Sequence, residues 1–200
     1  NSKNNYSLGL VADYFFVHHV DSAKSIDYGK FITTADFEGN MGLARAYAQW
    51  HHAFGKRLNG YGGVHAQYFT QNKEVSVEPR LALTWQPGTN GTFSLGYGLH
   101  SQVQPKSVYI SQSYDSITGS YYTSNKELGF TKSHHMVLGY NHMLGKHFRA
   151  KAETYYQHLY NVPVSDAFPE YSLVNAGDFF AIGAADSMKN KGTGYNYGLE

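Results

Sequence analysis

Cysteine is absent from this 200-residue chain, and charged residues make up only 16% of it. Without cysteine there is neither a disulfide framework nor a thiolate metal site, although the compartment stays open. The net charge is +1, so nothing attracts the chain in bulk to nucleic acid or acidic surfaces. No stretch approaches the ~18 consecutive apolar residues that a spanning helix needs. These absences exclude a helical membrane protein and give no reason to expect a nucleic-acid partner.

Aromatic residues are abundant, and polar and apolar side chains alternate strictly in two segments. Tyr accounts for 18 residues, Phe for 12 and Gly for 21. Because neighbouring side chains of a strand point to opposite faces, strict alternation predicts strands with one apolar and one polar face. The apolar positions are Val77, Pro79, Leu81, Leu83 and Trp85 in residues 76–86, and Phe93, Leu95, Tyr97, Leu99 and Val103 in residues 92–104. We predict that these two segments form a hairpin.

Eight segments carry this pattern, and most are close to the ~9–11 residues that a tilted strand needs to cross a bilayer. Their connections alternate in length, as in an antiparallel up-and-down transmembrane β-barrel, which has short turns at one end and long loops at the other. The predicted strands are 7–17, 41–54, 61–70, 76–86, 92–104, 133–144, 148–160 and 193–200. The connections are long at 18–40, 105–130 and 161–192, medium at 70–75, and short at 55–59, 87–91 and 144–147.

Aromatic residues on the apolar faces fall at both strand ends, which is typical of the two interfacial girdles of a membrane barrel. The alternative is the aromatic core of a soluble β-sandwich, but alternation, loop asymmetry and girdles together favour the barrel. The rings next to short turns are Trp50, Phe54, Trp85, Phe93 and Phe148. Those near long loops are Tyr14, Phe16, Tyr68, Tyr156 and Tyr160.

The polar faces carry charged residues that we predict to face a lumen: Arg45, Glu78, Arg80, Arg149, Lys151 and Glu153. They could line a conduit or contact a ligand, but mutual ion pairing and contact with an interior domain is the interpretation we favour. No nucleophile, phosphate-binding loop or Ser-His-Asp order stands out, so the chain is predicted to be no enzyme and to need no cofactor. Adjacent histidines such as His134 and His135 point to opposite faces, so no metal site is predicted.

The long loop 105–130 is the candidate for ligand recognition, because loops on a rigid scaffold commonly carry binding residues. Its tyrosines stand among serines and threonines and could stack on a sugar or a peptide. Such loops are also ordinary in barrels without a ligand there. The candidate ligand-binding residues are Tyr109, Tyr114, Tyr121 and Tyr122.

Several strand segments resemble TonB-dependent receptor barrels of the Bacteroidetes type. The resemblance covers most of residues 41–200 and rests on strand patterns, which specify architecture better than ligand. It rests on the runs Val77-Glu78-Pro79-Arg80-Leu81-Ala82-Leu83, Leu95-Gly96-Tyr97-Gly98-Leu99-His100-Ser101-Gln102, Ser133-His134-His135-Met136-Val137-Leu138-Gly139-Tyr140, Lys151-Ala152-Glu153-Thr154-Tyr155-Tyr156-Gln157, Leu159-Tyr160-Asn161-Val162-Pro163-Val164 and Gly192-Thr193-Gly194-Tyr195-Asn196-Tyr197-Gly198-Leu199-Glu200.

The resemblance implies a bacterial outer-membrane receptor that imports a nutrient, with a barrel of about 22 strands and a plugged lumen. Residues 1–200 are then expected to be a barrel segment of about eight strands. The plug, the segment that couples it to the TonB system and any secretory signal would lie upstream. Outer-membrane lipid, the TonB system and an unidentified nutrient are the implied partners. Siderophore, glycan, peptide and cobalamin all stay open as the ligand.

Two other functions were weighed against import. A structural or adhesive surface barrel would bind a partner without transport. A closed eight-stranded barrel is disfavoured by residues 193–200, whose tilted height of ~20 Å falls short of the ~25 Å apolar band. The first and last strands are therefore expected not to pair.

Overall fold

The computed structural model describes residues 3–24, 26, 29–115, 117–175 and 187–200, without the side chains of residues 32–35, 113–115 and 121. Ten strands and one short helix make up the described chain. In chain order they are β1 (Asn4–Lys24), β2 (Phe31–Ala53), β3 (Leu58–Phe69), β4 (Val75–Trp85), β5 (Gly91–Gln102), α1 (Lys106–Ile110), β6 (Gln112–Asp115), β7 (Ser120–Thr123), β8 (Thr131–Leu144), β9 (Phe148–Ser165) and β10 (Met188–Leu199).

Eight of the strands form one antiparallel sheet in the order β1-β2-β3-β4-β5-β8-β9-β10, which curves into a half-barrel. Each strand pairs with its neighbour along the chain, except that β5 pairs with β8 across the loop that holds α1 and the separate β6–β7 hairpin. This confirms the predicted all-β, up-and-down architecture of about eight strands. Among the described residues, no helix is both long and apolar enough to cross a membrane.

The predicted β4–β5 hairpin is confirmed. Leu81 pairs with Tyr97, Leu83 with Leu95 and Trp85 with Phe93, so all six apolar side chains share one face. The same face continues across the sheet, because Tyr97 pairs with Met136 and Met136 pairs with Tyr156. We call this surface the outer face and define it by these residues and their same-face neighbours along each strand.

Large apolar side chains lie exposed along the whole outer face. Leu10 is 85% exposed, Leu81 61% and Leu199 81%, although they come from the first, a middle and the last strand. A water-soluble monomer rarely leaves so large a continuous apolar surface uncovered. An 11-residue strand such as β4, at ~3.3 Å per residue and a tilt of ~40°, rises ~28 Å, which matches the ~25 Å apolar band of membrane barrels.

Aromatic contacts mark both ends of the outer face, as the girdle pattern predicts. At the short-turn end, Trp85, Phe93 and Tyr140 follow one another with ring centroids 5.7 and 4.5 Å apart. At the long-loop end, the His134 ring stacks 5.3 Å from the Tyr160 ring. Amphipathic rings in such bands place an apolar body against hydrocarbon and a polar edge toward water.

The predicted loop at 18–40 is wrong in extent. Here β1 has 21 residues and β2 has 23, so the two strands continue well past the other strands as a long arm. Along the arm, Phe15, Val17 and Phe37 pack against the loop core on one face, while Phe16 and Val20 lie exposed on the other. Both faces therefore carry apolar residues, and the strict alternation of polar and apolar side chains is lost. Without alternation, the sequence signal for a strand is lost.

The last predicted strand is also corrected. β10 begins at Met188 rather than at residue 193, and it pairs with β9, which continues to Ser165. Twelve residues at ~3.3 Å each and a ~40° tilt rise ~30 Å, enough to span the apolar band. The argument from strand length against a closed small barrel therefore fails. Backbone pairing instead shows that the sheet is open: in the part of the chain that the structure describes, no ladder joins β1 to β10.

The hydrophobic core lies at the long-loop end, where the loops fold onto the sheet. Tyr109 of α1 packs against Phe69 of β3 with ring centroids 4.9 Å apart, and both are buried. Leu128, Phe130 and Met41 belong to the same cluster. Val103 contacts it as well, although alternation assigns this residue to the apolar face of residues 92–104. Since β5 ends at Gln102, the alternation no longer applies there.

The β4–β5 ladder is interrupted halfway. Pairing covers Arg80–Trp85 with Phe93–Gly98, whereas β4 pairs with β3 along its whole length. Among the described residues, Val75–Pro79 have no ladder partner in β5. The two strands therefore separate toward the long-loop end, and we call this separation the seam.

Gly145 allows a test of the β8–β9 turn. Its φ is +70°, so Gly145→Ala should destabilise the folded chain by about 1–2 kcal/mol. Gly88 sits in the β4–β5 turn outside the left-handed region, with open space around it. Gly88→Ala is the matched control and should stay within about 0.5 kcal/mol. Urea unfolding of the full-length protein in lipid vesicles measures both, and equal effects would contradict the assigned turn.

Candidate functional site: the inner face of the sheet

The face opposite the outer face carries the polar side chains, and we call it the inner face. Register places all six residues predicted to face a lumen on it. Glu78 pairs with His65, Arg80 with Gly98, and Glu153 with Gly139, all on this side. Arg45, Arg149 and Lys151 occupy equivalent positions of β2 and β9.

Ion pairing within the sheet accounts for most of these charges. Arg45 forms a salt bridge with Asp13 of the adjacent strand. Lys151 Nζ lies 2.9 Å from Glu153 Oε2, and Arg149 donates from Nε to Asn141 Oδ1 at 2.6 Å. Such exposed pairs contribute little to stability, about 0–1 kcal/mol each. The ion pairs balance charges of opposite sign, so they leave the inner face without a patch of one sign.

Glu78 is the exception, because its side chain is only 1% exposed. Gln67 Nε2 and Ser101 Oγ both donate to Oε1, and the Ser101 backbone N–H donates to the same oxygen at 3.2 Å. Arg80 donates from Nη2 to Oε2 at 2.9 Å, and His65 Nδ1 lies 3.0 Å from that oxygen. Five contacts satisfy both carboxylate oxygens, as burial of a charge requires.

This network closes the seam between β4 and β5. Where the backbone ladder stops, the Glu78 carboxylate accepts the Ser101 N–H that a β4 carbonyl would otherwise accept. Gln67 extends the bridge to a third strand by donating to the Ser101 carbonyl oxygen at 2.9 Å. Side chains thus replace the missing main-chain pairing, so the wall stays continuous on the inner side.

A cavity of about 410 Å³ opens on the inner face toward the short-turn end from the Glu78 network. Its lining includes Tyr47, Gln49, His51, Tyr61, His65 and Arg80. His51 and Tyr61 stack with ring centroids 4.5 Å apart. A Cβ built at Gly9 would lie 2.3 Å from Tyr47 Cε1, so the Tyr47 ring lies across that glycine. The volume falls within the ~300–1,000 Å³ of small-molecule sites.

The histidines divide between the two faces, as adjacent pairs on a strand must. His65, His100 and His135 lie on the inner face, with the His100 and His135 rings 5.9 Å apart. His134 lies on the outer face, where the Tyr97 hydroxyl is 2.9 Å from its Nδ1. Within the described ranges, no group of three or more His, Asp or Glu side chains is placed to hold a metal ion.

The four loop tyrosines take different positions. Tyr109 is 1% exposed, so its ring packs the loop core and does not face a ligand. Tyr114 pairs through its backbone with Tyr121 in the β6–β7 hairpin, and the side chains of both lie outside the described set. Tyr122 is 50% exposed. A ligand-binding role therefore stays a prediction for Tyr114, Tyr121 and Tyr122 only.

Sequence reasoning missed the partners that organise the inner face. Ser101 follows Leu99 by two positions, so alternation places it with the apolar set, yet it binds Glu78 on the inner side. Gln67 stands on the predicted polar face without any mark of a special role. Pro79 is the sequence signal for the end of the β4–β5 ladder, because it has no N–H to donate and stands next to Arg80, the last paired residue. The network depends on that interruption.

Comparison with known proteins bears on the fold alone. No family model matches this chain, and no curated protein matches it. Among solved structures, the copper transporter OprC superposes with a TM-score of 0.59 at 12% identity over 82% of this chain. The siderophore receptor PirA from Pseudomonas aeruginosa gives 0.61 at 11% identity over 98%. These likenesses show the fold: the sheet has the fold of part of the barrel wall in both proteins.

This chain spans 29% of the OprC chain and 39% of the PirA chain. At these identities the comparison gives no support to the Bacteroidetes type in particular.

Tyr109 makes the loop core sensitive to alkali. Burial raises the pKa of Tyr109 to about 12, while the ordinary value is 10.0. Since the folded-state pKa exceeds the unfolded one, its stabilising contribution is complete below pH 10 and is lost as pH rises toward 12. We expect Tyr109→Phe to remove the loss of stability of the loop core between pH 10 and about pH 12. Tyr122→Phe, at an exposed position, should leave that loss unchanged. Limited proteolysis of the loop across the pH series measures both variants.

Glu78 should contribute far more to stability than the other inner-face carboxylates. Glu78→Ala leaves Gln67, Ser101 and Arg80 without their shared acceptor and should cost about 2–4 kcal/mol. Glu153→Ala removes an exposed pair and should cost at most about 1 kcal/mol. Urea unfolding in lipid vesicles compares the two variants. Similar losses would show that the seam does not depend on Glu78.

Proposed function

We propose that this chain forms part of the wall of a TonB-dependent outer-membrane receptor that takes up a nutrient. One observation carries the proposal: a continuous apolar outer face runs across all eight strands, and aromatic bands lie at both of its ends. Lipid hydrocarbon is the environment that such a surface fits, and the bacterial outer membrane is where barrels of this kind reside. The receptor fold of OprC and PirA supports the same assignment.

The wall is proposed to be incomplete without further strands. β1 and β10 each present an outward edge, and neither edge pairs with the other in the described chain. Unpaired backbone groups cannot persist in hydrocarbon, because no water is there to satisfy them. Additional strands of the same protein are the proposed partners, which agrees with the share of OprC and PirA that this chain spans.

Uptake rather than catalysis is the proposed activity of the inner face. Most of its charged residues are paired with one another within the sheet, which leaves few of them for acid–base chemistry. A plug upstream of this chain is proposed to connect the barrel to the TonB system, which would supply the energy for uptake. The resemblance to the Bacteroidetes type is retained as part of this proposal on the strand motifs alone.

An adhesive surface barrel is the second candidate, and the β1–β2 arm is the observation that favours it. The arm extends beyond the other strands and is exposed along much of its length. Such a projection could hold a partner outside the cell without any transport. Uptake and adhesion differ in whether a solute crosses the membrane.

Solute depletion separates these two functions. Cells with and without the full-length gene are grown in the same medium, and the spent media are compared by mass spectrometry. Uptake predicts that at least one small solute is depleted only when the protein is present and the proton-motive force is intact. Identical spent media with loss of surface attachment would support the adhesive barrel instead.

The lipid-facing assignment has its own test in β4. Leu81→Arg places a charge against hydrocarbon and should destabilise the membrane-inserted protein by about 2–4 kcal/mol. Thr84→Arg, on the inner face of the same strand, should cost less than about 1 kcal/mol. Urea unfolding in vesicles measures both. If Thr84→Arg cost more, the two faces would be reversed.

A further inference from the structure

We propose that the inner-face cavity beside Arg80 binds a carboxylate, with an aromatic or similarly flat body attached to it. The proposal rests on the proposed function only in placing this face inside a barrel. It concerns the cavity lined by Tyr47, Gln49, His51, Tyr61, His65 and Arg80, none of which the uptake proposal assigned to a ligand.

Arg80 supplies the charge that a carboxylate needs. A guanidinium has five N–H donors, and one terminal nitrogen of Arg80 is engaged with Glu78. Its Nε is unpaired but buried, whereas the side chain as a whole is 40% exposed, so the terminal N–H groups are the donors that a solute can reach. Glu78 does not depend on Arg80 alone, because Gln67, Ser101 and His65 also contact its oxygens. Donors of Arg80 thus stay available to a second anion, which the planar fork can hold through two bonds.

The wall around Arg80 leaves room for that anion. On the inner face, Arg80 pairs with Gly63 of β3 on one side and with Gly98 of β5 on the other. Neither neighbour has a side chain, and Gly63 itself lines the cavity. At Gly98 the His100 ring takes the space instead, with its Nε2 2.7 Å from where a Cβ would stand. Beyond Gly63, the next position across the sheet is Gln49, whose amide reaches the same cavity.

The remaining lining fits a flat anion and not a cation. Among the described residues that line the cavity there is no Asp or Glu, and Arg80 is the formally charged member. His51 and Tyr61 line the cavity with a stacked pair of rings. Phenol, imidazole and amide groups add hydrogen bonds of moderate strength around the charged contact. An aromatic or conjugated carboxylate matches both parts of this lining.

Two sources can provide this chemistry. The carboxylate belongs either to a small solute that enters the barrel or to an acidic side chain of the same protein's proposed plug. Both would meet the same donors of Arg80, and the experiment distinguishes them.

Benzoate and benzamide are the probes for the first source, because they have the same shape and differ in charge. Titration of the full-length protein in detergent should show benzoate binding and at least ten-fold weaker benzamide binding. Arg80→Gln should weaken the binding of benzoate about ten-fold, since a charge-assisted contact is replaced by a neutral one. The affinity of Arg80→Lys for benzoate should lie between those of the unchanged protein and of Arg80→Gln, because the charge remains and the two-bond guanidinium geometry is lost. Arg45→Gln, on the same face but paired with Asp13, is the control and should leave binding unchanged.

A photo-crosslinking residue in place of Tyr61 tests the second source. If the protein's own acidic segment fills the cavity, benzoate will not bind. The crosslink will join residue 61 to a peptide upstream of Asn1 that contains Asp or Glu, and Arg80→Gln will abolish it. Resistance of the folded barrel to SDS confirms that each variant is folded.

The proposal is overturned if benzoate does not bind and no Arg80-dependent crosslink forms, or if benzamide binds as well as benzoate. Loss of uptake with intact benzoate binding would refute the proposed function and leave this site standing.

Discussion

Backbone hydrogen bonding constrains everything else in this structure. A strand that crosses hydrocarbon must have its N–H and C=O groups paired, since the bilayer offers no water. Seven antiparallel ladders meet that demand within the main sheet, and the side chains are then free to divide between an apolar outer face and a polar inner face. Where the β4–β5 ladder stops, Glu78 takes over the pairing with Ser101. The buried carboxylate therefore follows from the same demand as the ladders.

The three regions of the chain have separate physical roles. The outer face is apolar over most of its area, and its polar contacts, such as that of Tyr97 with His134, lie among aromatic rings. The hydrophobic core lies at the long-loop end, where α1 packs on β3 and fixes the loop through Tyr109. Polar recognition is left to the inner face, because it alone combines partly buried charge with open space around Arg80.

The sequence could predict strands only where one face meets hydrocarbon. Residues 76–86 and 92–104 show strict alternation, and the structure confirms both strands and their hairpin. The β1–β2 arm gives no such signal, because both of its faces carry apolar residues and one of them packs against the loop core. The Glu78 network also lay beyond prediction, since it joins Gln67, Glu78 and Ser101 across three strands at a point where the ladder ends. The cavity depends in turn on Gly63, which the register of β3 and β4 places beside Arg80.

The seam also has a mechanical meaning. Because the β4–β5 ladder is interrupted in an otherwise continuous sheet, a mechanical load on the wall concentrates at the last intact pair, Arg80 with Gly98. Strands β1–β4 on one side and β5, β8, β9 and β10 on the other then share a ladder over only part of their length. Bending of the sheet would occur along that line first, with the Glu78 contacts holding the two parts together. The wall thereby has a line along which its curvature can change.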